Sequence, residues 1–262
     1  MSARIHRVAV LGLLLTTLLS TSVFAEKKVL TACGHHDYPP FNWRQGDTTV
    51  GVGPDAVRLI FAQLGVEVKS VYVGPWKRCL NAVRHGLVDV VVAAYVTEER
   101  KGYAQFTATP LSEDRKSVFV WKGREFPFNS WQDLAGKRAG VQLGVSYGQQ
   151  FDDFLAQHVD VVEVAERYQY FKMLQSKRID FIPTGAHIGV IHAHREGFGE
   201  QVVALDNPIR SGFLHIGISK RSAFVSLLPR VDHELKQLRD SGEIERLTKQ
   251  HLEQYLAALK KP

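Results

Sequence analysis

Four consecutive apolar residues, Val90-Val91-Val92-Ala93, follow Asp89 and precede a helix-start pattern at Thr97-Glu98-Glu99, and this stretch constrains the chain more than any other. A run so short and so uniformly apolar reads as a strand covered on both faces, and such strands belong to sheets with helices packed against them. The rest of the chain alternates in the same way. Residues 28–33, 68–73, 88–94 and 117–121 read as strands, with helices over 55–64 and 76–85. A second block repeats the theme: strands at 137–141, 160–164 and 179–183, with helices near 146–156 and 167–176. Residues 213–219 form another strand, and 223–257 carry two amphipathic helices broken at Ser241-Gly242. The pattern predicts an α/β protein with mainly parallel sheets flanked by helices.

The first 25 residues read as a targeting segment. Arg4, His6 and Arg7 precede an apolar run from Val8 to Leu19 and a small-residue end at Val23-Phe24-Ala25, so a signal peptide over 1–25 cleaved after Ala25 is expected. That run falls short of the roughly 18–20 residues a membrane span needs, so the mature chain is expected to be exported and periplasmic. Losing Arg4 and Arg7 lowers the formal net charge from +6 to +4. The remaining basic residues are interleaved with acids and not with aromatics, which argues against nucleic acid and for a mild bias toward anionic ligands.

Two cysteines in an exported chain can form a disulfide that persists. Cys33 ends the first strand and Cys79 lies in the first turns of a neighbouring helix, so they are either bridged or two separate buried thiols. Eleven histidines invite a metal hypothesis, but His35 and His36 are adjacent on a strand end, and His192 and His194 have no clustered cysteine or carboxylate beside them. No metal and no cofactor is expected. The strongest candidate for binding chemistry is Arg100. Thr97 reads as a helix N-cap, the following amides favour negative charge, and a guanidinium three residues on can grip a carboxylate with two parallel hydrogen bonds.

The segment Thr97-Glu98-Glu99-Arg100 is one of an ordered set of motifs. Tyr38-Pro39-Pro40-Phe41 follows the first strand, Gly51-Val52-Gly53-Pro54-Asp55 opens the first helix, and Trp76 precedes Gly86-Leu87-Val88-Asp89. Phe106 precedes Pro110, and Asp133-Leu134-Ala135-Gly136-Lys137-Arg138-Ala139-Gly140-Val141 is followed by Gly144. Lys177-Arg178-Ile179-Asp180 and Ile218-Ser219-Lys220 complete the set. Together they resemble bacterial extracellular solute-binding proteins of family 3, the amino-acid-type periplasmic binding proteins of ABC importers. The resemblance implies a two-lobe clamshell of the type II kind. Lobe 1 would span 26–121 and 212–262, lobe 2 would span 124–209, and the hinge would lie near 118–123 and 207–213. It also implies a monomer that binds a small molecule without catalysis and passes it to an ABC permease.

The same resemblance makes Tyr38 the aromatic that stacks on the ligand. Trp76 and Arg78 open a helix beside the cleft, Trp76 as a contact or a core wedge and Arg78 as a second cation. Ser146 is expected both to cap a helix and to donate to an anion. The departures from the family pattern carry as much information. Ala93-Ala94-Tyr95 stands where hydroxyl-bearing residues are common, so Tyr95 is expected to replace them. Gly185, flanked by Thr184 and His187, stands where amino-acid binders carry the acid for the α-ammonium group. A ligand ammonium there would lack an anionic partner, so the expected ligand is a small carboxylate-bearing solute, an amino acid or related organic acid, that either lacks the amine or is held in another way. Two alternatives stay open. One is an exported enzyme similar to cyclohexadienyl dehydratases, with His36 or His187 as acid or base beside Arg100, and the other is the ligand-binding component of a sensory system.

Overall fold

The computed structural model describes residues 29–259, and the expected signal peptide over 1–25 lies outside the described residues. The chain opens with β1 (Val29–Cys33), an antiparallel meander of β2 (Asp37–Tyr38), β3 (Asn42–Gln45) and β4 (Thr48–Val50), then α1 (Val52–Gln63). β5 (Glu67–Ser70), α2 (Trp76–Arg84), β6 (Val90–Ala94), the one-turn α3 (Glu98–Lys101) and β7 (Ala104–Phe106) follow. The long β8 (Ser112–Trp121) leads to β9 (Arg138–Gln142), α4 (Gln149–His158), β10 (Asp160–Val164), α5 (Arg167–Gln175), β11 (Ile182–Gly185) and α6 (Ala186–Arg195). The 18-residue β12 (Val202–Ser219) returns, and α7 (Leu228–Asp240) and α8 (Glu243–Leu259) close the chain.

The largest sheet has the order β11-β8-β12-β6-β1-β5, with β7 also paired to β12. β1 runs parallel to β5 and β6, and β9 runs parallel to β10, as the apolar runs imply. β12, by contrast, is antiparallel to β6, β7 and β8, and β11 is antiparallel to β8. Every residue of β6 is buried, as its unbroken apolar run requires.

Buried side chains divide into a core for each lobe. Leu30, Ile60, Phe61, Val90, Val92, Ile216, Val231 and Leu235 belong to one, so the C-terminal helices pack on the N-terminal half of the chain. A second layer of that lobe joins Cys33, Cys79, Val83 and Val91 under α2. The other lobe is built from Val118, Val120, Phe151, Phe181 and Ile209, and from Phe119, Phe171, Ile179 and Ile182. β12 serves both cores, and β8 pairs with it along both. Leu214 and Ile216 face the first core while Leu205 and Ile209 face the second, and the β8–β12 register shifts between Ile209 and Gly212 as the ladder passes from one to the other.

Several boundaries differ from the sequence expectation for physical reasons. β12 begins at Val202 and not 213, because antiparallel pairing with β8 carries the extended backbone through Pro208. α4 starts at Gln149 after Gly148, whose φ of 99° places it in the region that favours glycine, so the helix begins three residues later than the 146 that the pattern suggested. Ser146 is therefore not its N-cap.

Cys33 and Cys79 are bridged, with Cα atoms 5.9 Å apart and 46 residues between them in sequence. The bridge fastens the C-terminal end of β1 to the second turn of α2. Closing a loop of that length removes about 4 kcal/mol of chain entropy from the unfolded state. The double variant Cys33→Ala/Cys79→Ala is expected to lose about 3–4 kcal/mol of unfolding free energy in a denaturant titration. An unchanged midpoint would show that the bridge contributes nothing.

Candidate functional site

Between the lobes lies a cavity of about 40 Å³, room for roughly three waters. The first lobe contributes His35, Tyr38, Trp76, Ala93, Ala94, Tyr95 and Arg100, and the second contributes Gln142, Ser146, Tyr147, Arg167, Tyr170 and Thr184. Asp114 and Lys116 enter from β8, which pairs with β12 along both cores.

A bulge at the end of β6 explains why three consecutive residues face the same space. Gly217 pairs with Val91 but His215 pairs with Ala94, so β6 carries one extra residue against β12. Ala93 absorbs it at φ 50°, a left-handed conformation uncommon for a residue with a Cβ. The side-chain alternation breaks there. Ala93, Ala94 and Tyr95 all line the cavity.

Arg100 is buried at 4% exposure. Its guanidinium donates to the carbonyls of Tyr95 at 2.8 Å and Gly144 at 3.1 Å, and lies 5.5 Å from the centre of the Trp76 ring. Trp76 Nε1 donates to the same Gly144 carbonyl at 2.9 Å. Gly144 belongs to the second lobe, so both side chains fasten the lobes together as well as line the cavity. Burial lowers the Arg100 pKa, opposed by the nearby Tyr103 and Asp152. The helix start beside Arg100 is not the open anion site that its sequence suggested. α3 has a single turn, its Arg100 amide donates to Thr97 Oγ1, and its Glu98 amide donates across the cleft to Gln149 Oε1. Thr97 is a cap and does not line the cavity.

The middle of the cavity wall is a charged cluster. Lys116 Nζ lies 2.7 Å from Asp114 Oδ2 and donates to Tyr38 Oη at 2.8 Å. Tyr38 and Tyr95 donate to the two Asp114 oxygens at 2.7 and 3.0 Å. Gly212, opposite on β12, makes room for the Tyr95 ring, since a Cβ there would fall 2.3 Å from Tyr95 Cε1.

A second charged network closes the far side. Arg167, at the first turn of α5, donates to Gln142 Oε1 at 2.9 Å and to His192 Nδ1. His192 Nε2 lies 3.3 Å from Asp37 Oδ1, and Arg195 grips the same carboxylate with two nitrogens at 3.0 and 2.7 Å. His192 thus accepts on one nitrogen and donates on the other, the arrangement of a neutral imidazole. Burial and the Arg167 guanidinium hold its pKa down at about 3. His35 is likewise held well below its usual value by burial and Arg167. For Asp37, burial acts upward but is outweighed by hydrogen bonds from His192 and Arg195, so its carboxyl stays ionised far into acid.

The other sequence candidates separate. Ser146 and Thr184 line the cavity. The Ser146 hydroxyl is engaged with the Asp152 carboxylate and the Gly148 amide. Gly185 ends β11 behind Tyr38 and outside the cavity lining, and a Cβ there would meet Tyr38 Oη and Ile188 Cγ2, each at 2.8 Å. No acid side chain can be grafted there without displacing Tyr38. Arg78 is exposed on the outer face of α2, where it packs over Gly74 and borders a peripheral groove, so it is not a second cation of the cleft. His187 lies in the first turn of α6, and His36 stacks on His35 at 4.9 Å.

Sequence reading missed Asp114, Lys116 and Arg167. The signal for the first two was present: positions 114, 116, 118 and 120 share one face of β8, and Val118 and Val120 already marked that face as inward. Arg167 had a weaker signal, a cation at a helix start that follows a strand.

Comparison with known proteins places the chain. The sequence pattern of bacterial extracellular solute-binding proteins, family 3, matches residues 30–254. The chain belongs to that family. It is 28% identical over 176 residues to the L-cystine-binding protein of Escherichia coli, a match covering 62% of this chain and 64% of that protein. It is 26% identical over 233 residues to the arginine-binding extracellular protein of Bacillus subtilis, covering 85% and 86%. An ancestral arginine-binding protein bound to arginine superposes with a TM-score of 0.67 at 26% identity, covering 85% of this chain and 97% of that one. These relatives are binding proteins, and no helix among the described residues is long and apolar enough to cross a membrane.

The neutral histidines make stability pH-dependent. The unfolded chain takes up the His192 proton near the ordinary 6.5, whereas the folded chain resists it until about pH 3. Stability is therefore undiminished above pH 6.5 and falls as pH drops below it, by about 1.4 kcal/mol per pH unit for each such histidine. His192→Gln is expected to flatten the decline measured by denaturation between pH 6.5 and 4.5, leaving the shares of His35, His36 and His215, which burial also holds below their usual value. A slope equal to wild type would remove His192 from this role.

Proposed function

We propose that this protein is a periplasmic solute-binding protein that captures a small carboxylate-bearing solute, an amino acid or related organic acid, and acts as a monomer delivering it to an ABC permease. One observation carries the reading. Arg100, Lys116 and Arg167 border the cavity, and the single carboxylate in its lining, Asp114, already accepts from Tyr38, Tyr95 and Lys116. A site with surplus positive charge and no spare carboxylate in its lining stabilises an anion and gives a ligand ammonium no anionic partner in exchange for its lost water.

In this reading Arg100 is the primary carboxylate anchor, its Gly144 contact being exchanged for the ligand as the lobes admit it. Tyr38, Trp76 and Tyr95 supply aromatic walls, and Ser146 and Thr184 supply hydroxyls. Lobe 1 comprises 29–111 with 214–259, and lobe 2 comprises 118–209, so the boundary on β8 falls before the 121 that the resemblance implied. The pivot lies at 112–117 and 210–213, a few residues earlier on β8 than the 118–123 that the resemblance implied, since Val118 and Val120 already belong to the second core. Binding, and not turnover, is favoured over the dehydratase-like alternative. His35 borders the cavity and is held neutral beside Arg167, and His36 is not among the residues that line it.

A thermal-shift screen of amino acids and matched deaminated acids tests the class. A ligand at about a hundred times its dissociation constant adds roughly 2.7 kcal/mol of stability. Deaminated acids are expected to bind at least as well as their amino-acid counterparts, and tight binding of a free amino acid with no response to its deaminated partner would overturn the reading. Calorimetry on Arg100→Lys, which keeps the charge but loses the planar fork, is expected to show affinity reduced by about tenfold or more.

A further inference from the structure

Lys116 is an unusual feature of a ligand cleft because the protein surrounds it with what normally recognises a foreign ammonium. Its side chain is 3% exposed. Nζ lies 4.8 Å from the centre of the Tyr38 ring, 5.4 Å from that of Tyr95 and 5.5 Å from that of Tyr147. The rings of Tyr95 and Tyr147, the Tyr38 hydroxyl and a carboxylate at 2.7 Å together make an ammonium receptor. Tyr38 and Tyr95 come from the first lobe and Tyr147 from the second, so closing the lobes assembles it. The chain's own lysine fills it.

Stability alone gives little reason for such an arrangement. A buried ion pair roughly breaks even against apolar groups of the same volume, so this pair in a cavity wall calls for another role. The donor count supplies one. An ammonium has three N–H groups, Asp114 and Tyr38 take two, and the third remains for the cavity that Lys116 borders. Arg167 stands on the same side, 5.9 Å from the centre of the Tyr38 ring. Arg100 lies against Trp76 and Gly144, so the cavity has a cation in two separate parts of its wall. Burial pulls the Lys116 pKa down, with Asp114 opposing it.

We propose that Lys116 is the residue that sets ligand charge in this cleft: its tethered ammonium occupies the receptor formed by Asp114, Tyr38, Tyr95 and Tyr147, bars a ligand ammonium from it, and offers a second anion contact beyond Arg100. The ligand class is then a short dianion, a dicarboxylic acid or its equivalent. This inference rests on the reading of the cleft as a carboxylate site and narrows it.

The test varies only the distal group of the ligand. Calorimetry compares succinate, butyrate and 4-aminobutyrate, with their three- and five-carbon counterparts, on the wild-type protein. Succinate is expected to bind at least about tenfold more tightly than butyrate, the yield of one charge-assisted hydrogen bond, and butyrate more tightly than 4-aminobutyrate. In Lys116→Ala the order is expected to invert, because Asp114 and the three tyrosines are then open to the 4-aminobutyrate ammonium. The doubly neutral variant Lys116→Met/Asp114→Asn leaves no unpaired buried charge to compromise folding. It is expected to lose the succinate preference without gaining 4-aminobutyrate. Equal binding of succinate and butyrate by the wild type, or a wild-type order retained in both variants, overturns the role of Lys116 while the carboxylate reading stands. If the wild-type protein binds none of these acids and no other carboxylate in the thermal-shift screen, both fall together.

Discussion

The pairing of β8 with β12 is the constraint on which the rest of this structure depends. β12 contributes to both cores and changes the core it serves within a few residues of the register shift between Ile209 and Gly212, while β8 pairs with it across that change and gives its apolar side chains to the second core. A ladder shared by two cores fixes where the lobes meet and leaves the backbone between them with little packing of its own. It also delivers side chains to the middle of the cleft from a surface that belongs to neither lobe. Asp114 and Lys116 occupy that position, and their geometry follows the ladder and not either wall.

The cleft is lined by groups that are costly to bury, and the structure meets that cost by mutual saturation. Asp114 accepts from three donors, Asp37 from His192 and a bidentate Arg195, and the Gly144 carbonyl from both Trp76 and Arg100. Networks of this kind are stiff when complete and poorly tolerated when broken. Several of their links cross between lobes, so the closed arrangement is held by polar contacts of limited number. An opening motion would expose these groups to water, which solvates them well. That balance suits a two-state clamshell.

Much of the fold was legible in the sequence because its signals are local. The apolar run of β6, the helix at 76–85 and the break at Ser241-Gly242 depend on spacing within a few residues. The disulfide was half legible, since spacing brings Cys33 and Cys79 near one another without establishing the approach between them. The meander of β2 to β4 was missed because two- to four-residue strands carry no period. Arg100 was legible from its helix-start pattern, and Tyr38 and Tyr95 through the family resemblance, and all three line the cavity. The site was illegible where partners decide the role. Arg78 has the residue type of a ligand contact, but its helix faces it outward, whereas Lys116 just precedes the expected strand over 117–121 and gains its role from three distant tyrosines. At Gly185 the sequence could not show that the Tyr38 hydroxyl and Ile188 leave no room for a side chain.

Arg195 joins parts of the chain that are far apart in sequence. Its guanidinium, at the end of α6 in the second lobe, holds Asp37 near the start of the first lobe and also donates to Tyr255 on the terminal helix at 3.1 Å. Tyr255 in turn packs edge-on against Trp43 in the small meander. The last helix is therefore mechanically coupled to the jaws, although it contributes no atom to the cavity. A bulky fusion or a fluorophore placed near that end would sense whether the jaws are shut, and a truncation removing Tyr255 would act on the clasp from outside.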